Sequence, residues 1–151
     1  MTAVVSWVID GDTFDTTSGE RIRLADVDAP EYGEIGYYEA KNLLISLIYD
    51  KEVHLDIDDI YRTDPYDRLV CVVYLQYNST HFANINEALL VEGVAAVKDY
   101  YNEFNPYTWS LYCPIEAIPE FQSFIILLLF MLATLPIAIF YRRKHSQARM
   151  K

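Results

Sequence analysis

The sequence predicts an α+β fold, mainly β, in which five short strands close a small barrel with flanking helices, and one C-terminal transmembrane helix follows. Three observations lead there. Apolar residues recur at strand period in the first third and again mid-chain, helical spacing appears in two stretches between and after them, and one long uncharged apolar run stands near the end. The 151 residues suffice for one compact domain with a real core, but not for two of ordinary size.

Ala3 to Ile9, Thr13 to Thr16 and Arg21 to Ala25 are rich in β-branched and apolar residues, with Ser18 and Gly19 supplying the hairpin between the second and third. From Gly36 the period changes, and Tyr37, Ala40, Leu43, Leu44, Leu47 and Ile48 fall on one helical face. Val53, Leu55 and Ile57 alternate with Glu52, His54 and Asp56, the period of a half-buried strand, and Leu69 to Tyr77 is a more apolar strand after a charged loop. Asn84 and Glu87 have the spacing of a capping box, opening a short helix through Ala88, Leu89 and Leu90 that Gly93 closes. From Lys98 to Pro119 the chain is rich in Tyr, Asn and Pro and is expected to fold back on the domain. This succession suits an OB-type barrel, whose faces and loops often take oligonucleotides. The expected division is a folded domain over 1–104, an extension and linker over 105–120, a transmembrane helix over 121–141 and a basic tail over 142–151.

Phe121 to Tyr141 carries no charge, and Gln122, Ser123 and Thr134 are too few to make a polar face. At ~1.5 Å per residue it spans a hydrocarbon layer of ~30 Å. Arg142, Arg143, Lys144, His145, Arg149 and Lys151 follow, a tail that the positive-inside tendency keeps in the cytoplasm, which places the N-terminal domain outside the cell. The sequon Asn78-Ser79-Thr80 fits that side. The opening MTAVVSWVIDGDTF has no basic stretch followed by an apolar one, so the export signal this topology requires is not visible; a chain starting here would instead be tail-anchored with its domain in the cytoplasm. Cys71 and Cys113 leave one disulfide open, and the scattered His54, His81 and His145 exclude a zinc motif.

Residues 1–120 hold 22 acidic side chains against 7 basic, a net −15, and the tail's +5 brings the chain to −10. Such a surface excludes gripping a phosphate backbone by counterion release alone, so a polyanionic substrate needs a cation between. A cation site is at hand in the sequence. Asp10 and Asp12, in D-G-D-T, end one strand, and Asp28 and Glu31 follow in R-L-A-D-V-D-A-P-E, which a hairpin brings alongside. D-G-D-T alone reads as a tight turn. In the company of two further carboxylates it reads as an oxygen-only site for calcium or magnesium, since packed carboxylates repel one another without a cation. Arg23, and Arg68 in R-T-D-P-Y-D-R, flank the cluster in a domain with few other arginines, and guanidinium groups are suited to a phosphodiester gathering negative charge.

V-I-D-G-D-T, R-L-A-D-V-D-A-P-E, R-T-D-P-Y-D-R and N-E-A-L-L-V-E-G-V-A resemble, in order and from about Val4 to Val97, the staphylococcal nuclease (thermonuclease) family. The resemblance implies a calcium-dependent nuclease on an OB-type barrel, acting as a monomer on DNA and RNA and leaving 3′-phosphate ends. It implies calcium ligation by Asp12, Asp28 and the carbonyl of Ala29, Glu31 as general base or water-positioning group, and Arg23 and Arg68 on the phosphate, Arg68 also assisting the leaving oxygen. Tyr66 and Tyr101 take the substrate-stacking positions. The chain departs from the family pattern at Ala29 for Thr, Pro65 for a basic residue, Asp67 for Gly and Asp99 for a second stacking tyrosine, and the family's last helix has no clear counterpart.

I-P-E-F, the apolar span and the basic cluster together resemble the C-terminal sorting signal of archaeal surface proteins of the PEF type, which implies cutting near Pro119 to Phe121 by a sortase-like membrane enzyme; a retained anchor is the other outcome. Two readings compete with the enzyme. One is a catalytically weak OB-fold nucleic-acid-binding module on the cell surface, which is expected to lose catalytic charges, yet Asp12, Arg23, Asp28, Glu31 and Arg68 are all present. The other is an adhesion protein whose acidic face binds calcium without regard to the arginines.

Overall fold

Alternation along the longer strands turns one row of side chains inward, and the fold follows from how those rows are brought together. The computed structural model describes residues 1–115. In chain order they form β1 (Thr2–Val8), β2 (Thr13–Thr16), β3 (Arg21–Leu24), β4 (Val27–Asp28), α1 (Tyr37–Ile48), β5 (Glu52–Ile57), β6 (Leu69–Gln76), β7 (His81–Asn84), α2 (Ile85–Val91), β8 (Ala96–Val97), a 3-10 turn at Pro106–Thr108 and β9 (Tyr112–Pro114). β3, β2, β1, β5 and β6 are neighbours in that order, all antiparallel. The parallel pairing of β6 with β3, Val70 opposite Arg23, closes them into the expected five-stranded barrel.

Val5, Val8, Phe14, Ile22, Leu24, Val53, Leu55 and Val73 fill its interior. Each such side chain stabilises the fold by about 1.5–3 kcal/mol through burial. α1 lays Tyr37, Ala40, Leu44 and Ile48 on the core, the face its spacing predicts. α2 is capped at both ends as expected. Asn84 Oδ1 accepts from the Glu87 N–H at 3.1 Å, and at the other end Val94 N–H donates to Leu89 O and Gly93 N–H to Leu90 O, with Gly93 at φ 69°. The α2 residue Asn86 is fully buried and fastens the barrel's closure. Its Oδ1 accepts from Val73 N–H (3.0 Å), and its Nδ2 donates to Ala25 O (2.9 Å) and Cys71 O (3.2 Å).

The four remaining strands are ones that the sequence does not announce. β7 pairs with the far half of β6, β9 adds to β7, and β4 pairs with β8 in a separate two-residue ladder. The segment after β8 folds back as expected. Two buried carboxylates hold it there: Asp26 accepts from Tyr100 N–H (3.0 Å) and Asn102 Nδ2 (2.6 Å), and Asp58 from Glu103 N–H (3.3 Å). Met1–Pro114 forms one unit, so the first part of the stretch expected as an extension and linker over 105–120 carries the 3-10 turn and β9, held by strand pairing with β7.

Among the described residues no helix is long and apolar enough to cross a membrane; the span expected at 121–141, and the sorting signal before it, lie outside them. Cys71 and Cys113 are not joined, since Cys71 is buried on β6 while Cys113 Sγ lies 3.4 Å from Ser110 O at the sheet's edge.

At Gly11 the loop after β1 packs tightly against α1 and the loop after β4, and a Cβ there would stand 2.5 Å from Ala29 Cβ and 2.6 Å from Ala40 Cβ. Neither neighbour can swing aside. Gly11→Ala is therefore expected to destabilise the domain by about 1–3 kcal/mol in urea unfolding; a change within experimental error would contradict this packing.

Candidate active site

The turn after β1 is built by its own first carboxylate. Asp10 Oδ1 accepts from the Asp12 N–H at 3.1 Å, so Asp10 serves backbone geometry and the turn reading of D-G-D-T holds for that residue. Asp12 is directed inward. Its Oδ1 accepts from Thr13 Oγ1 (2.9 Å) and its Oδ2 from the Ala29 N–H (3.0 Å), which ties the turn to the loop after β4. Burial pushes the Asp12 carboxyl up to about 6, against the opposing pull of Arg23 and the Ala29 amide.

Arg23 lies on β3 opposite Thr13, and its side chain is only 12% exposed. Nη1 donates to Leu24 O (2.8 Å) and Val27 O (2.5 Å), while Nη2 stands 3.2 Å from Asp12 Oδ2 and 3.5 Å from Asp28 Oδ1. One guanidinium thus bridges the two carboxylates. Asp28, at the end of β4, is more open and also meets Lys98 Nζ at 3.0 Å. Glu31 follows in the exposed loop before α1; its N–H donates to Glu34 Oε2 (2.8 Å), and its own carboxylate takes no hydrogen bond from the described residues.

Arg68 reaches the same place from the other side of the closure. Asp64 organises its loop, Oδ1 accepting from the N–H groups of Tyr66 (2.9 Å) and Arg68 (3.0 Å), and Oδ2 from Arg68 Nε (2.7 Å) with Nη2 at 2.6 Å. Burial raises the Asp64 carboxyl, but these bonds outweigh it and hold it below its usual value. Arg68 Nη1 lies 3.4 Å from Thr13 Oγ1, and the guanidinium stacks 5.2 Å above the Tyr66 ring. Arg68, Thr13, Asp12, Arg23, Asp28 and Lys98 therefore make one continuous polar chain.

Beside it opens a cleft of ≈ 550 Å³, lined by Arg23, Arg68, Tyr61, Tyr66, Tyr100 and Tyr101 among others. Tyr66 and Tyr101 are nearly four-fifths exposed, and the Tyr61 and Tyr101 rings meet edge-on at 6.0 Å. Two guanidinium groups bordered by open aromatic rings can hold a phosphate with a flat, stackable group on either side. Asp12 and Asp28 offer hard oxygen donors and already draw a positive group between them, a chemistry that fits calcium completed by carbonyl and water oxygens. Among the described residues no three His, Cys, Asp or Glu side chains converge as a metal site.

A family model described as the staphylococcal nuclease homologue matches residues 21–113, a stretch that holds Arg23, Asp28, Glu31 and Arg68. The chain belongs to the staphylococcal nuclease family. It is 37% identical over 103 residues to a micrococcal nuclease of Shigella flexneri, covering 64% of this chain and 58% of that protein. To an uncharacterized endonuclease of Haemophilus influenzae it is 36% identical over 98 residues (62% and 51% covered), and to protein ParB of Escherichia coli 32% over 95 residues (58% and 52%). The chain thus spans little more than half the length of the curated relatives it matches.

Backbone conformation accounts for one departure from the nuclease family's pattern in the arginine loop. Asp67, where the family pattern has Gly, takes φ 62°, a left-handed conformation that glycine adopts at no steric cost and aspartate tolerates. Sequence reasoning missed three contributors to this region: Lys98, Asp64 as the group aiming Arg68, and Asp26 as the latch for Tyr100. The spacing of Asp64 and Arg68 within a Pro-containing turn was the one usable signal.

Folded Asp12 takes up its proton near pH 6, against 3.8 for an unperturbed carboxyl. The native state binds that proton first, so Asp12's contribution favours folding increasingly as pH falls through 6 and is complete below 3.8. Urea unfolding in chelator should show wild type gaining on the order of 1–2 kcal/mol relative to Asp12→Asn between pH 7.5 and 5. Parallel pH profiles for the two proteins would contradict the burial argument.

Proposed function

We propose that this chain is a calcium-dependent nuclease that hydrolyses phosphodiester bonds of DNA and RNA and leaves 3′-phosphate ends. The carrying observation is that β-barrel closure puts Arg68 and Arg23 on one cleft, with Asp12 and Asp28 held behind it by Arg23 and the Glu31 carboxylate on the adjacent loop. Family membership and nuclease-named relatives support the same reading.

Asp12, Asp28 and the carbonyl of Ala29 would hold calcium, which when bound supplies positive charge to polarise a phosphoryl oxygen and to offset the acidic surface facing a polyanion. Arg23 and Arg68 donate to the phosphate oxygens, and the Asp64 bonds fix Arg68 in advance so that it loses little freedom on binding. Glu31 positions the attacking water and accepts its proton as the new O–P bond forms. The bond from phosphorus to the 5′ oxygen breaks, Arg68 stabilises that leaving oxygen, and the phosphate remains on the 3′ side. Tyr66 and Tyr101 stack on flanking bases, each contact contributing about 1–3 kcal/mol. Barriers of this kind fall by up to ~20 kcal/mol in efficient enzymes, while one preorganised donor accounts for about 3 kcal/mol, so all the parts act together.

The test is cleavage of single-stranded DNA by the full chain in detergent, with calcium and with chelator. Cleavage should require calcium, and Glu31→Gln and Arg68→Ala should each lower kcat/KM by about 10²-fold or more. Absence of calcium-dependent cleavage by the wild type across a range of pH and salt would overturn the proposal.

We also propose that the domain acts outside the cell as a monomer, tethered through 121–141 or released when a sortase-like enzyme cuts near Pro119 to Phe121, a reading supported by the uncharged span and the basic residues after it. Protease added to intact cells should then digest the nuclease domain; full protection until lysis would place it inside.

A further inference from the structure

Lys98 occupies a position that the catalytic assignment leaves unused. In the β4–β8 ladder Asp28 is opposite Ala96 and Val27 opposite Val97. Lys98 comes next, on the same face as Ala96, which makes it the diagonal neighbour of Asp28 across the ladder. Its N–H donates to Asp26 O at 3.0 Å, so the backbone is fixed in that register. The side chain spans the diagonal and places Nζ 3.0 Å from Asp28 Oδ1 and 3.1 Å from Oδ2. One ammonium therefore engages both oxygens of this carboxylate, and Arg23 adds a second cation at 3.5 Å from Oδ1. Asp12 is held differently, by the buried Arg23, the Ala29 amide and the Thr13 hydroxyl.

A divalent cation on Asp28 needs at least one of the two oxygens that Lys98 engages. It must displace the ammonium or sit beside it against like-charge repulsion. Displacement is the easier course. The Lys98 side chain is half exposed, an ion pair at such a site is weak, and the released ammonium returns to water.

We propose that Lys98 is a tethered counter-cation that competes with calcium for Asp28 and raises the calcium concentration at which the site fills. The inference rests on the reading that Asp12 and Asp28 ligate calcium. At low calcium the second carboxylate is neutralised by the protein's own side chain, which keeps the two acids from repelling one another and keeps the site from filling.

Calorimetric titration of calcium chloride into the full chain in detergent tests this without reference to turnover. Replacing Lys98 by the neutral, similarly long Met should tighten calcium binding about three- to tenfold, Lys98→Gln should act in the same direction, and Lys98→Arg, which keeps the charge, should stay near wild type. Equal affinity in wild type, Lys98→Met and Lys98→Gln overturns the competition while leaving the calcium site intact. Failure of wild type and both neutral variants to bind calcium overturns the calcium reading itself and the inference with it.

Discussion

The parallel pairing of β3 with β6 is the constraint on which the rest depends. It is the only non-antiparallel contact in the barrel, and it joins segments far apart in the chain. Setting Val70 beside Arg23 carries the loop before β6 over the mouth of the β2–β3 hairpin, so Arg68 can reach Thr13. Asn86 locks this arrangement with three buried hydrogen bonds to β6 and to the end of β3. Val73 N–H and Ala25 O would each lose this buried partner if its bond were broken, at about 1–3 kcal/mol apiece, whereas Cys71 O also accepts from Ala25 N–H at 2.8 Å.

Charge in the site is balanced locally. Asp12 and Asp28 share Arg23, Asp64 has Arg68, and Lys98 completes Asp28, so few cations stand free for a ligand in a domain with a large acidic excess. The same pairs preorganise the arginines. Arg68 is held at the Nε edge and Nη2 by Asp64 and faces Thr13 and the cleft with Nη1.

The barrel was legible in the sequence because its five strands and two helices are long enough to show a period, and because Asn84, Glu87 and Gly93 mark helix ends by local chemistry. The ladder of β4 with β8 has two residues a side, and β9 three, too short for any alternation to register. Those elements exist because of contacts distant in sequence, β4 with β8 and β7 with β9, while the carboxylates of Asp26 and Asp58 hold the segment between β8 and β9 by drawing on backbone amides beyond residue 99. The site divides along the same line. Asp12, Arg23, Asp28 and Arg68 sit in recognisable motifs and do meet, whereas Lys98 reaches Asp28 only through a ladder that no pattern predicts. Asp10 was ambiguous for a different reason, since an aspartate that closes a turn and one that faces a ligand look the same in one dimension.

The segment after β8 and the barrel closure line one cleft but are fixed in different ways. Tyr100, Tyr101 and Lys98 lie on a strip held largely by two short carboxylates, while the arginines belong to the barrel closure itself. The aromatic strip and the charged framework therefore have separate anchors, side-chain acceptors for one and strand pairing for the other. On the proposed nuclease reading, the side chains placed to stack on bases and those placed to act on the phosphate thus sit on separately anchored parts of the fold.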